Sequence, residues 1–330
     1  MAYESKNMNY IFNVEYFKNI FDMQNGVEAE IKKRNEAIFK FSFPEKETPL
    51  TICEEMEGYR SFSLYTLYPG LLVGTGNPHE LAKEGALKCG FTFDYVTGVP
   101  YITGSTLKGM LRSYFPGDSK DKEKDTEFTA LIKGILGKEE LDVSAFKEKV
   151  FENNDIFLGA YPVIGRDASL MEMEFITSHK DKFKNPNPVS LIKVKPAVEF
   201  TFSFLFSDYI AQDGTVIVSA DEKCNLCKEL ILLMGIGAKT NVGYGRFSEA
   251  KPAENILVPR PRESKDANGN ERKGNHKNNH NKAKNDNDNN AKIPTCANSY
   301  CNKKVTYNKK QEKYNMFCYD CFSKQKENKK

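Results

Sequence analysis

Apolar and polar side chains alternate from residue 198 to residue 204, and Phe206 keeps the period past Leu205. Val198, Phe200, Phe202, Phe204 and Phe206 fall on one face, the period of a half-buried β-strand. Residues 190–196 read as a strand ahead of it, and residues 156–164 as a buried strand bent at Gly159. Residues 61–68 begin with alternation, and Pro69-Gly70 then predicts a turn into a second strand over 71–73. Residues 90–95 carry aromatics at period two, and a short strand is expected over 100–102. Helical spacing appears elsewhere. Leu226, Leu230, Leu233 and Met234 define the core side of a helix over 222–234, which Gly235 ends. Leu107, Met110, Leu111 and Tyr114 recur at i, i+3, i+4 and i+7 in a second helix, with Ser105 as its expected N-cap. An amphipathic helix is expected near 16–23, a charged one over 27–40, a charged loop over 117–128 and a helix over 129–151. A last strand starts at Tyr244. Hairpin-like strand pairs among helices predict an α+β domain, with antiparallel sheets and helices on one face.

The pattern stops near residue 250. Residues 259–292 are rich in Asn, Lys, Asp and Gly and hold almost no large apolar side chain. Such a segment buries too little surface to offset its ordering entropy, so 251–293 is expected to be a disordered linker between a domain over 1–250 and a tail over 294–330. Charge divides at the same place. Residues 251–330 hold 19 of the 48 Lys and Arg but 9 of the 45 Asp and Glu, leaving 29 against 36 in the first 250. The net charge of +3 thus comes from the tail, and the front domain needs local basic patches if it binds a polyanion. The N-terminus has no apolar run that would make a signal peptide, and no run is long enough to span a bilayer. A cytosolic protein is expected, with its eight cysteines reduced or metal-bound rather than paired as disulfides.

Four of those cysteines stand as Cys296-x4-Cys301 and Cys318-x2-Cys321, sixteen residues apart. Four thiolates close a tetrahedral zinc site, and a tail this small needs such a staple, so a structural zinc ribbon is expected with a hairpin between the pairs. Nine lysines and three acids in this tail suit contact with nucleic acid or an acidic protein. Cys224 and Cys227 lie within a helix and read as core. Cys53 and Cys89 are isolated.

Two stretches carry the functional signal. The first, Gly235-Ile-Gly-Ala-Lys-Thr-Asn-Val-Gly-Tyr-Gly-Arg-Phe247, packs four glycines with Lys239, Thr240, Asn241 and Arg246 just after a helix. Glycine lets a backbone approach closely and turn its N–H groups outward, and the cation, hydroxyl and amide are typical phosphate partners. A helix cap followed by a glycine turn into a strand accounts for the same residues. A P-loop is excluded, because it opens a helix after a strand and this loop does the reverse. The second stretch is Gly98-Val-Pro-Tyr-Ile-Thr-Gly-Ser-Thr-Leu-Lys-Gly-Met-Leu-Arg112. Lys108 and Arg112 lie one turn apart. Gly109 sits mid-helix at a cost of about 1 kcal/mol relative to alanine, which suggests that another backbone passes close by. A solvated charged face with an incidental glycine is the plainer account. Among four histidines, His276 and His280 fall in the linker and His179 in a basic stretch. His79 is the one candidate general base beside a glycine-containing loop.

Together the two stretches resemble the RAMP superfamily of CRISPR proteins over roughly residues 60–250. Within it, Leu72-Val-Gly-Thr-Gly-Asn-Pro78 and Gly90-Phe-Thr-Phe-Asp-Tyr95 are most similar to the sixth-subunit family of the Cmr (type III-B) effector complex. The resemblance implies a ferredoxin-like (RRM-like) βαββαβ fold with insertions. It also implies a non-catalytic subunit of an antiviral filament, holding the 3′ portion of the CRISPR RNA and its bound target RNA beside other RAMP subunits and a small helical subunit, with no membrane partner. Carried onto this chain, it implies RNA contacts by Ser105, Thr106, Lys108, Gly109 and Arg112 on the helix. On the loop it implies contacts by Gly235, Gly237, Lys239, Thr240, Asn241, Gly243 and Arg246. The linker and cysteine tail depart from the family pattern. Two other readings stay open: a metal-independent CRISPR RNA endonuclease using His79 with Lys108, since some members process transcripts, and an adaptor acting through the zinc tail.

Overall fold

The phenylalanine face of residues 198–206 forms the centre of the main sheet. In the computed structural model, which describes residues 4–44, 50–74, 81, 83, 85–89, 91–117, 122–153, 155–165, 169–177, 188–252, 307–308 and 313–314, strand β7 (Glu199–Leu205) lies between β1 (Tyr59–Thr66) and β4 (Ile156–Pro162). Short strands β10 (Phe247–Ser248) and β3 (Ile102–Thr103) flank them, giving the order β10-β1-β7-β4-β3 with every pairing antiparallel. Phe200, Phe202 and Phe204 are fully buried. Phe62 stacks on Phe202 and Phe204, and Phe157 and Phe247 meet the same row edge-on. Gly159 kinks β4 at a bulge, as its place in the strand pattern predicts.

Helices α3 (Gly104–Arg112) and α6 (Ala220–Met234) touch one another; α3 packs on β4 and α6 on β1. Helix α6 starts at a capping box, in which the Ser219 hydroxyl accepts from Glu222 N and the Glu222 carboxylate accepts from Ser219 N. Along the chain the central elements run β1, α3, β4, β7, α6, β10, so each helix crosses between strands of one antiparallel sheet. Inside this layer lies a buried ion pair. Lys223 Nζ sits 2.5 Å from Asp155 Oδ2, and the other carboxylate oxygen accepts from Ser207 N at 3.0 Å.

A second sheet has the order β2 (Leu87–Cys89), β6 (Pro188–Val194), β5 (Met171–Thr177). Its β2–β6 pair is parallel, so this sheet departs from the expectation of antiparallel sheets, whereas β8 (Tyr209–Ile210) and β9 (Val216–Val218) form a separate antiparallel pair. Helix α2 (Val27–Phe39) packs against β5.

Several elements differ from the sequence expectation. The N-terminal helix α1 is Met8–Asn13, followed by a 3-10 turn over Glu15–Phe17. Asn7 caps α1 by accepting from Tyr10 N, and Tyr16 is a fully buried side chain bonded to Asn35 rather than part of a helix over 16–23. The helix expected over 129–151 is two. Helix α4 (Lys122–Leu136) begins inside the stretch read as a loop, because Phe128 packs on Tyr114. It stops at Gly137 with φ +66°, and α5 (Val143–Glu148) restarts behind the N-cap Asp142. Residues 91–95 form no strand. Asp94 closes a turn there, accepting from Val96 N, Thr97 N and the Thr97 hydroxyl. Residues 71–73 make only a bridge from Leu71 to Val194, because Leu72 O is turned to another partner described below.

The chain divides into two compact units, Met1–Pro259 and Arg260–Lys330. In the second, the described residues are the antiparallel pair β11 (Tyr307–Asn308) and β12 (Lys313–Tyr314). From residue 253 on, the expected linker lies outside the described residues, as do the ligands Cys296, Cys301, Cys318 and Cys321. No helix among the described residues is long and apolar enough to cross a membrane.

Candidate nucleic-acid interface

Helix α6 ends at Gly235, and from there the glycine loop folds onto its own chain. Ile236 N donates to Gly245 O at 2.8 Å, closing the stem. Ala238 N donates to Leu72 O at 2.7 Å and Gly245 N to Gly70 O at 2.8 Å, which fastens the stem to the turn after β1. The glycines are needed for these contacts. A Cβ on Gly245 would lie 1.8 Å from Ile236 O, one on Gly237 2.4 Å from Leu72 O, and one on Gly235 2.6 Å from Gly245 O, all at positive φ. The glycine density predicts close approach, but at these three positions the approaching group is the protein's own main chain.

What the stem presents is its apex. Lys239 holds a left-handed φ of +59° and precedes a 3-10 turn over Thr240–Val242. Residues 237–239, Asn241 and Val242 are exposed and Thr240 half-exposed. Gly243 has φ +102° with Pro69 3.4 Å from its ideal Cβ. Arg246 points the other way. Its Nη1 donates to Leu233 O at 2.6 Å in the last turn of α6, where a cation suits the helix C-terminus.

On α3 the N-cap is Thr103, not Ser105. Its hydroxyl accepts from Thr106 N at 3.1 Å and meets the hydroxyls of Ser105 and Thr106, both of which are exposed. The helix starts earlier because β3 runs straight into it at Gly104, where a Cβ would lie 1.8 Å from Phe157 O. Within the chain, the close backbone approach on this helix is thus at Gly104. Gly109 is exposed with nothing within 4 Å of its ideal Cβ. Lys108 is half-buried with its ammonium 5.9 Å from the Phe157 ring centroid, and Arg112 is ion-paired with Glu152. The charge of Arg246 is felt at the Tyr114 phenol, so the end of α3 and the exit of the glycine loop are neighbours. His79 and His179 lie outside the described residues.

Sequence reasoning missed the aromatic and acidic partners of the loop. Tyr244 donates its hydroxyl to Glu174 of β5, and burial together with that carboxylate pushes the phenol well above its ordinary value. Lys193 Nζ of β6 sits 2.7 Å from Glu174 Oε2. Burial alone would raise the Glu174 pKa, but the hydrogen bonds from Lys193 and Tyr244 and the Lys193 charge outweigh it and hold the carboxyl below its usual range. A depressed carboxylate contributes its stability above the unfolded-state pKa and loses it as pH falls through the folded one. The anchorage of the loop to the second sheet is thus complete at neutral pH. The one signal for it in the sequence is a tyrosine set between Gly243 and Gly245, where a pure turn needs none.

A fold with antiparallel strands crossed by two helices on one face and closed by a glycine loop after the second helix defines a superfamily. The RAMP superfamily pattern matches residues 63–248, more than half of the chain, and the chain belongs to that superfamily. Within it, the chain is 29% identical over 169 residues to the CRISPR system CMR subunit Cmr6 of Saccharolobus solfataricus. That match covers 49% of this chain and 49% of the relative, so the chain spans about half the length of the curated relative it matches. Among solved structures, the type III-B Cmr-beta complex bound to cognate target RNA has a chain 23% identical with TM-score 0.44, covering 73% of this chain and 84% of that one. Cmr6 from Pyrococcus furiosus is 20% identical with TM-score 0.37, covering 59% of this chain and all of that one.

Proposed function

We propose that this chain is a non-catalytic, RNA-binding subunit of a type III-B CRISPR effector complex. In that role it holds the 3′ portion of the guide RNA and its target beside other RAMP subunits and a small helical subunit. The observation that carries the reading is the exposed apex over 237–242, a lysine, a hydroxyl and an amide raised on a stem whose own hydrogen bonds are already closed. A preformed stem adds little ordering cost when a phosphate chain is bound. Membership of the RAMP superfamily and similarity to a Cmr subunit support the assembly. The order β10-β1-β7-β4, with α3 after β1 and α6 after β7, supports the ferredoxin-like form of the fold.

Binding of this kind is directed at the phosphate backbone and tolerates sequence. Replacing Lys108 and Lys239 together by alanine is expected to weaken binding equally for unrelated guide sequences. It should also flatten the salt dependence by roughly 0.7 in log–log slope for each phosphate that the variant no longer neutralises. Filter binding across a salt series measures both, and an effect confined to one guide sequence would sink the reading. Incubating the same protein with repeat RNA in EDTA should leave the RNA intact; a discrete cut that disappears in His79→Ala would establish the nuclease instead.

The cysteine tail is proposed to hold a structural zinc through Cys296, Cys301, Cys318 and Cys321. The β11–β12 pairing lies between the two cysteine pairs in sequence, where a ribbon needs its hairpin. Atomic absorption on the purified full chain is expected to find one zinc per protein, and a metal-free preparation with all four thiols titratable would refute the assignment.

A further inference from the structure

A grip on phosphates leaves the aromatic neighbours of the glycine loop without a role. Tyr68 follows β1 in a turn that is tied to the loop at several points. Leu67 N donates to Arg246 O at 2.8 Å, Gly70 O accepts from Gly245 N at 2.8 Å, and Pro69 Cδ lies 3.4 Å from the ideal Cβ of Gly243. The Tyr68 phenol lies near enough to Tyr244 to bear on it electrostatically, and the Tyr244 hydroxyl is held by Glu174. Tyr68 has no such anchor among the described residues and stays 45% exposed, while Val242 on the loop apex is 69% exposed. An exposed tyrosine therefore stands on the turn fastened to the loop that carries exposed Val242 with Lys239, Thr240 and Asn241.

Phosphate binding needs no aromatic surface, whereas a nucleobase does. The base is joined to the phosphate through one ribose, so a phosphate chain gripped at the apex brings flat aromatic surfaces to its flank. The stretch from Gly235 to Phe247 contains no carboxylate, and Glu174 is already engaged by Lys193 and Tyr244. The surroundings thus favour a polyanion over an ordinary protein surface.

We propose that Tyr68 is a stacking platform for a nucleobase of the RNA strand whose phosphates lie at the 237–242 apex. The proposal rests on the RNA-binding reading and adds a ligand group and a residue to it. Stacking is sequence-tolerant because every base has a π-face, so this platform raises affinity without reading sequence. Val242 extends it by its apolar surface.

The test uses the full chain, single-stranded oligoribonucleotides of mixed sequence, and the same oligonucleotides with abasic riboses. Tyr68→Phe keeps the ring and is expected to bind within about twofold of wild type. Tyr68→Leu keeps apolar bulk but not the π-face, and is expected to bind roughly 5- to 100-fold more weakly. Its salt slope should match wild type, because every phosphate partner is still in place, and on abasic RNA the two should bind alike. Ultraviolet cross-linking with mass spectrometry should place a nucleotide adduct on Tyr68. Equal binding of normal RNA by Tyr68→Leu and wild type overturns the proposal. So does an equal weakening on abasic RNA, or a variant that binds RNA normally but no longer co-assembles with other protein subunits. A wild-type chain that binds no RNA overturns the RNA-binding reading itself, and this proposal with it.

Discussion

Alanine in place of Asp155 is expected to cost the fold about 3–5 kcal/mol, the usual consequence of removing one partner of a buried ion pair. The Asp155 side chain is wholly buried and that of Lys223 nearly so, with 2.5 Å between their charged atoms. The carboxylate also accepts from Ser207 N and the Ser207 hydroxyl, which ties the chain leaving β7 to the residue that enters β4. Truncation leaves a buried ammonium without its counter-charge and a backbone N–H without its acceptor. Whole-domain stabilities are about 5–15 kcal/mol, so the loss takes a large share of the total. Urea unfolding should show a lower midpoint at unchanged slope. Replacing both partners, as Asp155→Leu with Lys223→Met, should recover much of the loss, because the desolvation of both charges is then removed as well. A single-variant cost below about 1 kcal/mol would contradict the burial of the pair.

Gly245→Ala is the second large effect, expected to destabilise the free protein by more than about 2 kcal/mol and to weaken RNA binding at least tenfold. Gly245 has φ +65°, accepts from Ile236 N and donates to Gly70 O. An added Cβ would lie 1.8 Å from Ile236 O. The obstacle is main chain, so no side-chain rotation relieves it, and the left-handed backbone adds about 1–2 kcal/mol for a residue with a Cβ. The stem between residues 236 and 245 has to open, and the apex over 237–242 loses its support. Hydrogen exchange at the amides of Ile236, Ala238 and Gly245 should accelerate in the variant without RNA. Unchanged exchange with a loss of RNA affinity alone would mean that the glycine serves the ligand and not the stem. Gly243→Ala, whose Cβ would touch only the Pro69 ring at 3.4 Å, should be the milder substitution.

The contrast between these glycines shows how far the sequence could be read. A glycine-rich loop after a helix was legible as a place of close approach, and Gly235 as the end of α6. Which group came close was not legible, since the donor–acceptor pairs join Ala238 to Leu72 and Gly245 to Gly70 across most of the domain. Gly109 shows the same limit. Its mid-helix cost was visible, but the tight approach belongs to Gly104 against β4. Arg112 and Arg246 read as two cations available to a phosphate chain; in the fold one is paired with Glu152 and the other caps α6.

Periodicity settled what depends on neighbours in the chain. The phenylalanine face of β7, the leucine face of α6 and the α+β class all follow from side chains two, three or four residues apart, whose relative positions local geometry fixes. The superfamily motifs belong to the same kind of information, because they are contiguous. The partners of Tyr244, Lys193 and Asp155 were decided only when the sheets assembled. So were the parallel β2–β6 pairing and the exposure of Tyr68. A hydrogen bond, a burial or a parallel register between distant segments leaves no period in the sequence, and its energy exists only once the chain has closed around it.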